Sequence, residues 1–85
     1  MTAGKQILIV DDDATLVEML AEQLQLHEEF ITSCVLTGVA ALKIAKEDYF
    51  DVIILDVGLP DIDGREVCRL LRRNGVTSPI IMLTG

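Results

Sequence analysis

Four short apolar runs divide the chain, and polar or turn-forming residues follow each of them. Ile7-Leu8-Ile9-Val10 stops at Asp11-Asp12-Asp13, and Val52-Ile53-Ile54-Leu55 stops at Asp56. Ile80-Ile81-Met82-Leu83 follows Ser78-Pro79 and leads to Thr84-Gly85. Runs of this length, rich in β-branched residues, predict strands; Phe30–Leu36, apolar but broken by Thr32, Ser33 and Cys34, predicts another. The intervening segments have helical spacing. Leu16, Val17, Met19, Leu20 and Leu24 mark one stripe of a helix over Ala14–Leu26. Thr37-Gly38 opens a second helix running to about Lys46, with Val39, Leu42 and Ile44 among its apolar positions. Asp63 and Glu66 have capping-box spacing and open a third helix, which Asn74-Gly75 stops after Arg73.

Strict alternation of strand and helix implies a parallel sheet with right-handed crossovers and helices on its faces. The first, third and fourth strands are nearly all apolar, as strands buried on both faces are, whereas the mixed second strand suits an edge. The expected order is therefore 2-1-3-4, a doubly wound α/β sheet whose chain reverses direction between the first and third strands. Ligands in such sheets bind beyond the carboxyl ends of the strands at that point. The fourth strand carries none of the charges, bulges or prolines that protect an edge. A fifth strand is expected beside it, so residues 1–85 are expected to be one partial domain lacking that strand and the last two helices.

Composition narrows the function classes. With 85 residues the chain is one domain at most, and 51% hydrophobic with 25% charged residues is a globular composition. A formal net charge of −7 argues against direct nucleic-acid binding by this segment and favours a cation or a basic partner. Cys34 and Cys68 are isolated, with no CxxC spacing, so buried thiols in a reducing cytoplasm are expected rather than disulfides or zinc. No apolar run is long enough to span a membrane.

The chemistry lies where strand ends converge: Asp11 and Asp12 after the first, Asp56 after the third, Thr84 after the fourth. Clustered carboxylates repel one another, and a divalent cation resolves that conflict. Magnesium fits best, since it accepts a few carboxylates and keeps sites for phosphoryl oxygens. One carboxylate then attacks phosphorus while a hydroxyl receives a phosphate oxygen, and positioning and charge neutralisation supply most of the catalysis.

At these residues the chain resembles the receiver domains of two-component response regulators, of flavodoxin-like fold. The opening strand with Asp11-Asp12-Asp13, the stretch Asp56-Val57-Gly58-Leu59-Pro60-Asp61-Ile62-Asp63-Gly64, and Ser78-Pro79 through Thr84-Gly85 are similar to three of that family's motifs in register. The resemblance implies that Asp56 accepts a phosphoryl group from a sensor histidine kinase or a phosphotransfer protein. It implies that Asp12 binds Mg²⁺ directly, that Asp11 supports it, and that Gly58 offers its backbone carbonyl. Thr84 would bind a phosphoryl oxygen as the switch hydroxyl, with the Gly85 backbone close by. Gly58 departs from the larger residue more common there, which leaves the phosphoryl group more open to water. The family's fifth-strand lysine and aromatic switch residue have no counterpart in the 85 residues.

Plainer readings accompany the rest. Asp13 is a helix cap, Pro60 and Gly64 shape a loop, and His27 sits at a helix end where the dipole favours it. Arg65, Arg69, Arg72 and Arg73 form a solvated face or a partner contact. Asp11-Asp12-Asp13-Ala14-Thr15 is also similar to the nucleophile motif of haloacid-dehalogenase-like phosphohydrolases, with Asp11 as nucleophile and Asp13 as general acid. A non-catalytic pseudo-receiver that only binds partners is the other alternative. An open sheet edge is expected to make the chain a homodimer or otherwise self-associating.

Overall fold

The computed structural model describes residues 4–27 and 29–83. Seven elements follow in order: β1 (Lys5–Val10), α1 (Ala14–Gln25), β2 (Phe30–Val35), α2 (Gly38–Glu47), β3 (Val52–Asp56), α3 (Gly64–Arg73) and β4 (Ile80–Leu83). All strand pairs are parallel and the order is β2-β1-β3-β4, as the hydrophobic pattern required. Element ends differ from expectation by a residue or so. Asp51, just before β3, is tied to β1 through Gln6. Its N–H donates to the Gln6 carbonyl at 2.7 Å, while its carboxylate accepts from the Gln6 N–H at 2.7 Å.

The sheet separates two apolar layers. Leu8 and Val10 of β1 and Ile53 and Leu55 of β3 face α2 and α3, where they meet Ala41, Phe50, Val67 and Leu71. Ile7 and Ile9 face the other way onto Val17, Leu20 and Leu24 of α1. The period-two alternation of a strand thus divides one continuous apolar run between both layers. The expectation of burial on both faces holds for β1 but fails for β4. Ile80 and Met82 pack against the α2–α3 layer, yet Ile81 is 53% exposed on the opposite face.

Local chemistry closes the helix ends. Asp13 caps α1 by accepting from the Leu16 N–H at 3.1 Å, and Thr37 caps α2 by accepting from the Ala40 N–H at 3.1 Å. The capping box expected at α3 does not form. Asp63 accepts from the Arg65 N–H at 2.8 Å, but Glu66 turns forward to the Arg69 guanidinium, a charged partner stronger than the backbone N–H it would otherwise have reached. The basic run is similarly occupied: Arg65 pairs with Asp63, and Arg72 donates to the carbonyls of Val76 and Ser78. The expectation of buried thiols is also corrected. Cys34 is exposed because it lies on the edge strand, and Cys68 is half-buried. The His27 ring packs edge-on against Phe30, with centroids 5.7 Å apart.

Two glycines answer different demands. A Cβ on Gly64 would fall 2.1 Å from the Asp56 carbonyl oxygen and 2.7 Å from the Val57 Cα, so only glycine lets α3 begin against the end of β3. Gly75 instead has φ 90° with nothing near its would-be Cβ. Gly64→Ala is therefore expected to destabilise the fold by roughly 3 kcal/mol through overpacking. Gly75→Ala should cost only about 1 kcal/mol, from backbone conformation alone. Urea unfolding of the two variants measures the difference.

Candidate functional site

Sheet register builds the site. Val10 of β1 pairs with Leu55 of β3, so the next residues, Asp11 and Asp56, leave adjacent strand ends side by side. A slip of one residue would turn one of them to the other face. The ladder continues past both strands: the Asp11 N–H donates to the Val35 carbonyl at 3.2 Å, and the Val57 N–H donates to the Leu83 carbonyl at 3.1 Å. Both carboxylates therefore project from backbone that is hydrogen-bonded on the sheet rather than from free loops. Asp12 follows directly, and one oxygen each from Asp11, Asp12 and Asp56 lie within 4.8 Å of one another.

The three carboxylates differ in environment. Asp11 is buried, Asp56 half-buried and Asp12 exposed. The Asp11 Oδ1 accepts the Asp13 N–H at 2.9 Å, and the Asp56 Oδ1 accepts the Gly58 N–H at 3.2 Å. Burial pushes the Asp11 carboxyl above the ordinary range. The hydrogen bond from Asp13 opposes this, and the charges of Asp56, Asp12 and Asp13 add to the rise. A carboxylate held under desolvation and like-charge repulsion fits a hard cation. An all-oxygen donor set suits the Mg²⁺ and Ca²⁺ class rather than zinc, which prefers nitrogen and sulfur.

Of the residues singled out from sequence, Asp11, Asp12, Asp56 and Gly58 meet at this strand end. Thr84 and Gly85 lie outside the described residues. Asp13 turns its carboxylate to the Leu16 N–H of α1, which leaves it poorly placed for the general acid of the hydrolase reading. Gly58 leaves open space beside Asp56: a Cβ there would meet only the Asp56 Oδ2, at 3.9 Å. Sequence reasoning missed Asp61, whose carboxylate reaches back to the first turn of α2. No local signal marks it, since its partners lie 22 and 23 residues away.

The raised Asp11 pKa has a thermodynamic consequence. A carboxyl whose folded pKa exceeds its unfolded one is harder to ionise when folded, so stability falls as pH rises through the raised value. Asp11→Asn keeps the acceptor for the Asp13 N–H and removes the charge. In metal-free buffer at neutral pH it is expected to raise Tm by a few degrees. The gain should vanish below the ordinary carboxyl value of 3.8, where Asp11 is protonated in both states. Calorimetry across pH checks the sign.

Comparison with known proteins agrees with this geometry. Residues 7–85 match the family model described as the response regulator receiver domain. The chain is 43% identical over 84 residues to the DNA-binding response regulator MtrA of Mycobacterium tuberculosis, covering 99% of this chain and 36% of the relative. It is 42% identical over 83 residues to the alkaline phosphatase synthesis transcriptional regulatory protein PhoP of Bacillus subtilis, covering 96% and 34%. The chain thus spans about a third of the length of these curated relatives. Among solved structures, the response regulator TrrA of Thermotoga maritima, in complex with Mg(2+)-BeF, superposes with a TM-score of 0.87 at 38% identity, covering 94% of this chain and 69% of that one. The Francisella response regulator 1452 receiver domain gives a TM-score of 0.90 at 25% identity, covering 95% and 66%. Fold, strand-end carboxylates and these matches coincide: the chain belongs to the response regulator receiver domain family of two-component signalling.

Proposed function

We propose that Asp56 is the phosphoacceptor of this receiver domain, with Mg²⁺ held by Asp11, Asp12, Asp56 and the Gly58 backbone carbonyl. The observation that carries the reading is the meeting of three carboxylates from two adjacent strand ends, one of them desolvated. The TrrA relative, whose structure contains Mg(2+)-BeF, supports the choice of ion and of phosphoryl chemistry. When bound, the ion supplies charge neutralisation between the carboxylates and the incoming phosphoryl oxygens.

The protein's own residues do the rest. The Gly58 N–H holds one Asp56 oxygen and so fixes the rotation of the carboxylate. An Asp56 oxygen forms the new bond to phosphorus as the bond to the donor's imidazole nitrogen breaks, and the departing imidazole takes up a proton. Thr84 would receive a phosphoryl oxygen through its hydroxyl, with the Gly85 backbone alongside. The donor is a sensor histidine kinase or a phosphotransfer protein in the cytoplasm, and the domain acts as a phosphoacceptor rather than as a turnover enzyme. Among the described residues no helix is long and apolar enough to cross a membrane. The net charge of −7 argues against direct nucleic-acid contact by residues 1–85. Self-association through β4 belongs to the same reading, supported by the exposed Ile81.

In the intact protein, Asp56→Asn is expected to abolish Mg²⁺-dependent labelling by acetyl phosphate, read as the loss of a phosphoryl mass on the intact chain. Labelling that persisted in this variant and disappeared in Asp11→Asn would favour the hydrolase chemistry instead. Gly58→Met fills the open space beside the Asp56 Oδ2 and should slow hydrolysis of the aspartyl phosphate severalfold, followed as decay of the labelled protein.

A further inference from the structure

Between Asp56 and α3 the chain makes a closed loop, residues 57–63. Its base is fastened where the Gly64 N–H donates to the Val57 carbonyl at 2.8 Å. Near the outgoing side stands Gly58, whose N–H fixes Asp56 and whose backbone has no side chain to restrain it. Leu59 then enters the α2–α3 core, and Asp61 lies at the far side of the loop. The Asp61 carboxylate accepts from the N–H groups of Gly38 and Val39 at 2.9 Å each.

These two donors belong to the first turn of α2, where backbone N–H groups have no partner within the helix. The helix already has a local cap in Thr37, so Asp61 adds a second one from another part of the fold. Packing at the junction is close: a Cβ on Gly38 would lie 2.8 Å from the Val67 Cγ2, 3.3 Å from the Ile62 Cβ and 3.4 Å from the Asp61 Oδ1. The two backbone donors also hold the Asp61 carboxyl below the ordinary range, so the tether stays ionised to lower pH than a free carboxyl does.

We propose that Asp61 is a positioning residue for the phosphoryl site, tethering the 57–63 loop to α2 so that Gly58 is held between two fixed points. The inference rests on the reading of Asp11, Asp12 and Asp56 as the cation and phosphoryl site. Asp61 touches neither ion nor phosphoryl group and acts through the loop alone. With the tether cut, the Val57–Gly64 bond still holds the loop's base, while Leu59 keeps its place by packing alone. The Gly58 N–H and carbonyl, however, sample more orientations, and the carboxylate cluster loses part of its preorganisation.

The test compares two caps of one helix. Mg²⁺ is titrated calorimetrically into the intact protein as wild type, Asp61→Ala and Thr37→Ala. Both substitutions remove a cap from α2, but only the first releases the loop. Asp61→Ala is expected to weaken Mg²⁺ binding about tenfold, with Thr37→Ala within about twofold of wild type. Asp61→Asn, which retains one acceptor oxygen, should fall between wild type and Asp61→Ala. It replaces the alanine variant under the same criterion if that variant does not fold. Equal weakening by the Asp61 and Thr37 variants, or none by either, would reduce Asp61 to a helix cap and overturn the proposal. Wild-type protein that binds no Mg²⁺ would instead overturn the reading of the carboxylate cluster, and the tether's role with it.

Discussion

The pairing of β1 with β3 is the constraint on which everything else depends. Because Val10 stands opposite Leu55, two strands that end in carboxylates end at the same level and on neighbouring tracks. Apolar burial sets that register: Leu8, Val10, Ile53 and Leu55 must all face α2 and α3, and a one-residue shift would send a strand's side chains to the wrong layer. The hydrophobic effect, which has no chemical specificity, thereby brings together charges that repel. Packing of the interior holds the acids together, and the acids in turn give the strand end an all-oxygen donor set that suits a hard cation.

This dependence explains what was legible in the sequence. The four apolar runs and the helical stripe of α1 are periodic signals, and they are sufficient for element order and sheet order. Asp11 and Asp56 could be found because each directly follows an apolar run, with Asp12 next to the first, so locating the strand locates the acid. The caps at Asp13 and Thr37 were legible for a similar reason, since their partners lie three residues on.

What stayed hidden is non-local or competitive. Asp61 reads as one polar residue in a turn, and its two donors stand at the start of α2, more than twenty residues earlier in the chain. Gly64 reads as loop punctuation, whereas its real constraint is the backbone of Asp56 and Val57 pressed against it. The capping box at α3 failed because spacing names a possible partner without ranking its rivals, and Arg69 outcompeted a backbone N–H for Glu66. Cys34 was expected inside as an isolated thiol of a residue type usually buried, although its mixed strand suits the sheet edge, where the thiol is exposed.

The two ends of the sheet are finished differently. At the end away from the acids, Ser78 donates to the Phe50 carbonyl and Arg72 caps the carbonyls of Val76 and Ser78, so polar groups there find partners within the chain. At the acidic end, Asp11 is ionised only at the expense of the folded state. Whatever neutralises that end binds the native chain and has no equivalent place on the unfolded one, so its free energy of binding adds to the free energy of folding. The desolvated carboxylate thus couples the durability of the protein to its ionic surroundings, and the population of folded molecules becomes itself a gauge of what the strand ends hold.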